Sequence, residues 1–429
     1  MQRKNLLDST RGRFTTFGLL YISEGIPYGF SSTAMVAFMR VEGLSLSQIG
    51  AFVAALFIPW SFKWVWAPLI DLIKLHRFGG RKAWILFCTT MMIGTLLIVA
   101  AVDFHTNFQL LLIAIVLNNF FCATQDVAID SLAVSVLREE ERGRGNGFMF
   151  GGQYLGIALG GGGAVFVFGI WGFDVALMYV SSLLLLSWLF VLIFVKDPDV
   201  ERHPEPSHAD VAGTLARELK VFLKELHIGF MRSGRGPKLA LIFALLPCGA
   251  MALQYAILGT IVVDFGLSTN QIAAISIYNT IAAGLGCLIG GAIGDRFGLI
   301  KVQGGFYILT ALPTLLLASQ IASVGLENVP LGLFYGIVIT HGLVFGMAYG
   351  VHNAIFMGMT NPAVAATQFT AFMGMTNLAI SYSNYWQGIA ADRFGYAMVL
   401  YLDAAVMLVP LAIIPFLRNR EPTLEPALA

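Results

Sequence analysis

Charge is what this chain has least of. Acidic and basic residues together make up 12% of its 429 positions, against about 25% in a typical soluble domain. That scarcity argues against a soluble globular protein. Cysteine is scarce too. Cys88, Cys122, Cys248 and Cys287 all fall inside apolar runs, with neither metal-ligand spacing nor the look of a disulfide framework, so they read as packing residues. A formal net charge of +1 offers nothing to a nucleic acid. No metal motif, nucleophile elbow or phosphate loop occurs. An enzyme or sensor embedded in the membrane would need such a constellation, so no catalytic residue, metal or cofactor is expected. No cleavable leader is expected either, because MQRKNLLDSTRGRF reads as a short basic tail.

What the chain has is apolar surface. It is 57% hydrophobic, with 33 phenylalanines and a mean hydropathy of +0.76. Crossing a hydrocarbon core of about 30 Å takes about 20 apolar helical residues. Twelve such stretches are predicted, near 14–38, 46–72, 83–102, 109–134, 145–170 and 174–195, then 238–263, 269–294, 302–322, 331–358, 364–389 and 396–417. The fold class is therefore all-α and polytopic. With the N-terminus in the cytoplasm, 23 of the 26 lysines and arginines fall on the inside; only Arg40 and Arg393 lie outside, and Lys63 is within a span. That asymmetry places both termini in the cytoplasm.

Landmarks recur at a nearly constant offset. Asp71 in PLIDLIKLHRFGGRK and Asp295 in GAIGDRFGLIK are 224 residues apart; GFDVALMYV and GYAMVLYLD are 223 apart. A parallel repeat of two six-span halves is the symmetry of the major facilitator fold. The expected halves are 1–195 and 238–429. Between them, 196–237 forms a polar linker in which Val211, Leu215, Leu219, Phe222, Leu226 and Phe230 recur at helical spacing, as on an amphipathic helix lying on the bilayer face. Gly152, Gly156 and Gly160 in the fifth span match Gly286, Gly290 and Gly294 in the eighth. Small residues at that spacing let helix backbones approach closely. In this fold the two spans would face each other across the interface between halves, the ladders serving either as static packing or as a surface for rocking.

GIPYGF in the first span, SFKWVWAPLIDLIKLHRFGGRKAW through loop 2–3 and ATQDVAIDSLAVSVLREEERGRGN through loop 4–5 resemble the peptide/acetyl-coenzyme A transporter group of major facilitators. That group includes AmpG-type muropeptide permeases, acetyl-CoA transporters and siderophore importers. The resemblance runs through the N-terminal half; the C-terminal half matches mainly in length and in its GDRFG loop. It implies a permease of the inner membrane that acts by symport. A carrier of acetyl-CoA should present a basic cavity for phosphates, yet Lys63 is the only intramembrane lysine or arginine.

Ionisable residues inside a membrane usually face a partner or a water-filled path. Asp126 and Asp130 share one face of the fourth span. Lys63, eight residues or about 12 Å before Asp71, reaches a similar depth and would neutralise one of them, leaving a surplus charge able to hold a proton or a static lock tied to Arg138 or Arg142. Glu24 sits mid-span beside Gly25 and Pro27, as a proton or substrate site or a cap for backbone groups freed by the proline. Glu24, Asp126, Asp130 and Lys63 are thus the proton-coupling candidates. For substrate, the candidates are Tyr28, Gln125, Gln153, Tyr154, Gln254, Tyr278, Asn279, His352, Asn353, Asn377 and Tyr382, amides and rings suited to a sugar- or amide-containing ligand. Each could equally serve helix–helix hydrogen bonding. Gln387 reads as interfacial. Asp71, Arg77, Gly79 and Arg81 in loop 2–3, with Asp295 and Arg296 in loop 8–9, are the gating candidates. The expected partners are a small-molecule substrate, protons and the lipid bilayer, and the expected state is a monomer.

Overall fold

The computed structural model describes residues 5–72, 79–101, 107–138, 141–197, 211–361 and 364–417. Among them there is helix and no strand. The first segment runs as α1 (Thr10–Gly29), opens into a wide π-turn over Phe30–Ala34, and continues as α2 (Met35–Val41). Pro27, which removes one backbone donor and crowds the turn before it, lies three residues ahead of the wide turn. Next come α3 (Leu46–Leu72), α4 (Arg81–Ala100) and α5 (Phe108–Val136). α6 (Arg142–Ala158) passes through a second π-turn at Leu159–Gly163 into α7 (Ala164–Trp171), followed by α8 (Phe173–Phe194). α9 (Val211–His227) lies within the expected linker.

The next stretch departs from expectation. Residues 238–263 read as one span, but the structure breaks it into α10 (Gly236–Ala244) and α11 (Ala256–Asp264). Pro247 cannot donate to a helix ladder, and Gly249 takes a left-handed φ of 83°. Between them they end the first half-helix and redirect the chain. The remaining helices are α12 (Thr269–Phe297), α13 (Leu299–Val324), α14 (Leu331–Met359), α15 (Ala365–Val406) and α16 (Leu408–Ile413). α15 is two helices merged across Gly395, where φ is 77°.

Nine helices among the described residues are long and apolar enough to cross a membrane, the last of them the 50-residue merged segment Thr367–Phe416. The chain divides into two compact units. Unit 1 comprises Met1–Met39, Val65–Arg217 and Thr269–Ile277; unit 2 comprises Arg40–Trp64, Glu218–Ser268 and Tyr278–Ala429. In unit 1, Phe17, Leu20, Ile129, Leu132 and Val191 form the buried core. In unit 2 the core is aromatic, built on Phe243, Tyr307, Phe356 and Phe372.

Each glycine ladder packs against a helix of its own unit. A Cβ at Gly152, Gly156 or Gly160 would strike the carbonyls of Gly18, Ile22 and Ile26 on α1. One at Gly286 or Gly290 would strike Leu343 and Met347 on α14. Each ladder therefore lets two helices of its own unit touch backbone to backbone. Only the continuation of the first ladder meets α12: Gly162 lies against Ala273 and Ile277, and Gly169 against Thr269. A third crossing of this kind joins α3 to α15, where Gly50 and Gly388 oppose each other.

Candidate functional site

In unit 1, α1 supplies one polar face. Tyr21, Glu24 and Tyr28 lie three and four residues apart and so line one side of the helix. Glu24 is 2% exposed. Gln153 on α6 donates to its Oε1 at 2.7 Å, and the close approach of α1 to α6 at Gly25 makes that reach possible. Tyr21 donates to Asp130 on α5 at 2.5 Å. Asp126, one turn earlier on the same face of α5, is buried. α1 thus collects polar contacts from both neighbours along a single stripe.

Other candidates turn inward to helix contacts. Gln125 is fully buried and donates to Thr89 on α4 at 2.6 Å. In unit 2, His352 is fully buried, its Nδ1 2.7 Å from the Tyr307 hydroxyl and its ring packed on Phe243 and Phe356. Asn279 is buried against Gly342. Asn377 donates to the Trp60 carbonyl at 3.4 Å, and Lys63 lies 5.1 Å over the Trp60 ring. Tyr278 is 51% exposed. Tyr28, Tyr154, Gln254 and Asn353 are half-buried.

The broken segment between α10 and α11 is where most side-chain work in unit 2 converges. Tyr382 donates to the Leu245 carbonyl at 2.6 Å. Thr310 accepts from the Ala250 N–H at 3.0 Å, and His341 Nε2 donates to the Ala250 carbonyl at 3.0 Å. Asp403 accepts from Ala252 N–H at 2.9 Å, and Asn384 from Ala256 N–H at 3.0 Å. Backbone groups without a helical partner must be satisfied inside a membrane; here α13, α14 and both parts of α15 satisfy them. Gln387, expected at an interface, is fully buried and donates to Asp403 at 2.8 Å. Sequence reading missed Asp403, Thr310 and Asn384 in this role. The signal available was Pro247 with Gly249 in an apolar run.

Charged contacts sit at helix ends. Arg13 grips Glu141 with Nε and Nη2, and Thr10 donates to the same carboxylate at 2.7 Å. The Arg13 guanidinium, followed by the Thr10 hydroxyl, holds Glu141 down at about 2, below its ordinary value of 4.5. Arg138 contributes its backbone N–H to Glu141, and the Arg142 side chain lies outside the described residues. Arg81 donates to Ser131 at 2.8 Å and lies 3.6 Å from Asp197, within unit 1. Gly79 takes a φ of 107°. The Asp71 side chain and all of Arg77 lie outside the described residues. Asp295 and Arg296 are exposed, with Arg296 over the Phe297 ring at 5.3 Å. In unit 2, Arg40 forms a bidentate pair with Asp264, which Tyr396 also donates to at 2.6 Å. Asp392 caps α3, accepting from Leu46 N–H and Ser47 N–H at 2.9 and 2.7 Å.

Long apolar helices bearing buried carboxylates and one broken segment define a polytopic membrane protein. The sequence profile of the Major Facilitator Superfamily matches residues 17–383, and the chain belongs to that family. The anhydromuropeptide permease of Escherichia coli K12 is 24% identical over 365 residues, covering 82% of this chain and 68% of that protein. A putative transporter AmpG 4 of Rickettsia conorii is 24% identical, over 66% of this chain and 68% of that protein. Among solved structures, the nucleoside transporter NupG superposes with a TM-score of 0.69 at 16% identity, covering 95% of this chain and all of that one. A D-xylose-proton symporter superposes at 0.67 with 13% identity, covering 95% and 97%. These likenesses are to the fold. The chain is thus a membrane-spanning transporter of the facilitator fold, and its substrate is a small molecule.

Proposed function

We propose that this transporter is a proton-coupled importer of a polar solute, a peptidoglycan-derived muropeptide, across the inner membrane. The observation that carries the proton coupling is Glu24, a carboxyl 2% exposed on α1 with the Gln153 amide as hydrogen-bond partner. An amide can serve either protonation state, since it offers both a donor and an acceptor. Asp126, Asp130 and Lys63 are proposed to share the coupling. The muropeptide assignment is supported by the sequence relatives, among them the anhydromuropeptide permease of Escherichia coli K12.

The proposed organisation counts twelve crossings, with α1–α2 and the broken α10–α11 each taken as one and Thr367–Phe416 as two. The halves are 1–195 and 238–429, joined by a cytoplasmic linker at 196–237. Both termini are cytoplasmic and the carrier works as a monomer. Tyr28, Gln153, Tyr154, Gln254 and Asn353 are the proposed ligand contacts. Asp71, Arg77, Gly79, Arg81, Asp295 and Arg296 are proposed to control the inner gate.

The experiment is uptake into proteoliposomes of labelled anhydromuropeptide, acetyl-CoA and a ferri-siderophore, with and without an inward proton gradient. Gradient-driven accumulation of the muropeptide alone is expected. Accumulation of acetyl-CoA or the siderophore instead would replace the substrate, and uptake indifferent to the gradient would remove the coupling.

A further inference from the structure

Asp403 is 2% exposed on the second part of α15. Its carboxylate accepts from Ala252 N–H on the broken segment and from Gln387 Nε2 on the first part of α15, and the Met251 N–H faces it as well. All three partners are neutral donors. The titratable groups on the surrounding elements are engaged elsewhere. His341 on α14 and Tyr382 on α15 donate to the carbonyls of Ala250 and Leu245. Tyr307 on α13 is paired with His352 on α14. Asp264 at the end of α11 is held by Arg40 and Tyr396, and Asp392 caps α3. Cys248, on the break itself, is buried. No ion pair to Asp403 occurs among the described residues.

A second observation bears on the same spot. Gln387 is fully buried, and its Oε1 has no hydrogen-bond partner among the described residues. Turning that amide by half a rotation would present Oε1 to Asp403 in place of Nε2, since the two ends of an amide are nearly the same shape. Oε1 would then accept a hydrogen bond from a protonated Asp403. The ionised carboxylate is satisfied by the three donors; the neutral acid would be satisfied by the turned amide.

We propose that Asp403 and Gln387 form a proton-binding site that controls the broken segment between α10 and α11. Binding adds one proton from solvent to one carboxylate oxygen and breaks no covalent bond. The ionised state holds Ala252 N–H by a charge-assisted hydrogen bond; the neutral state holds it by a weaker one. Protonation therefore loosens the cap on residues 245–255, where the chain's own helical structure is a single 3-10 turn at Ala252–Gln254, and frees the two half-helices to change angle. The use of this site in transport rests on the proton-coupled reading above; the existence of the site does not.

Infrared spectra of the purified full-length protein, taken as pH-difference spectra, test it directly. Acidification should raise the carbonyl band of a buried carboxylic acid. That band should be lost in Asp403→Asn, remain in Glu24→Gln, and shift in Gln387→Leu, which keeps the acid and removes its acceptor. A band unchanged in Asp403→Asn would overturn the proposal. Should Asp403→Asn fail to fold, Gln387→Leu decides: a shifted band supports the site and an unmoved one overturns it. Gradient-driven uptake of anhydromuropeptide by the wild type reads the coupling separately. Uptake without an Asp403 band would overturn the site and leave the carrier reading standing. An Asp403 band without gradient-driven uptake would do the reverse.

Discussion

Gln153 on α6 donates to Glu24 on α1 across 2.7 Å, at the level where a Cβ on Gly25 would overlap the Gln153 carbonyl. The side-chain contact and the backbone contact depend on the same closeness of two helices. Glu24→Gln would keep the shape and the bond, because a glutamine oxygen can accept from Gln153 as the carboxylate does. What it removes is the exchangeable proton. Substrate exchange should survive at near wild-type rate while accumulation driven by a proton gradient is lost. Concentrative uptake at the wild-type level by Glu24→Gln would take Glu24 out of the coupling and leave Asp126 and Asp130.

Gly156 tests the backbone contact alone. Its nearest neighbours are the Ile22 carbonyl, Gly25 Cα and Ile26 N, so any side chain must push α1 and α6 apart. Overpacking of this kind costs about 1–3 kcal/mol. Gly156→Leu should lower the thermal midpoint in detergent, and Gly151→Leu, where a Cβ meets nothing within 4 Å, should not. Equal effects at the two positions would show that the ladder is not what holds the helices.

Much of this was legible in the sequence, and the limits have physical causes. Span positions follow from apolar length, which depends only on local composition. Glu24, Asp126 and Asp130 stand out because carboxylates are rare in an apolar run. Asp403 escaped notice because it lies in YLDAAV in the first third of the last span, where an acidic residue passes for a boundary; only the fold brings it to Ala252. The break at 245–255 was signalled by Pro247 and Gly249, but an apolar count alone reads straight through them. The glycine ladders were found correctly as ladders, yet small residues carry no label for their partner. Their spacing fits any close helix crossing.

Two ion pairs should respond differently to salt. Arg13 and Glu141 are 6% and 7% exposed, whereas Arg40 and Asp264 are 23% and 24%. Screening acts on pairs that water and ions can reach. Raising ionic strength should erase the destabilisation caused by Arg40→Met, itself about 1 kcal/mol or less, and leave that of Arg13→Met largely intact. Loss of both effects with salt would mean that Arg13 is reached by solvent in the working protein.

Glu141 also predicts a pH dependence. Its folded value, about 2, lies below the ordinary 4.5 because Arg13 and Thr10 hydrogen-bond the ionised form. The sign follows from linkage: the unfolded state binds the proton first, so the contribution is fully present above about 4.5 and is lost as pH falls toward about 2. Melting curves across that window should decline in the wild type and decline less in Glu141→Gln, which starts less stable. Parallel declines in the two proteins would assign the acid sensitivity to other carboxylates.

Arg217 and Arg393 decide the orientation. Both side chains are exposed, so a cysteine at either is reachable from whichever side it faces. Arg217 belongs to α9 in the basic linker, and Arg393 is one of only two basic residues expected on the outside. Lysine and arginine are retained on the cytoplasmic side during insertion, and the orientation proposed above on that ground has Arg217 inside and Arg393 outside. The native cysteines are buried except Cys287, which is partly so; a Cys287→Ser background therefore removes the main source of stray labelling. In intact cells an impermeant maleimide should label Arg393→Cys and not Arg217→Cys, and membrane disruption should expose both. Labelling of Arg217→Cys alone would invert the topology and, with it, the direction assigned to import.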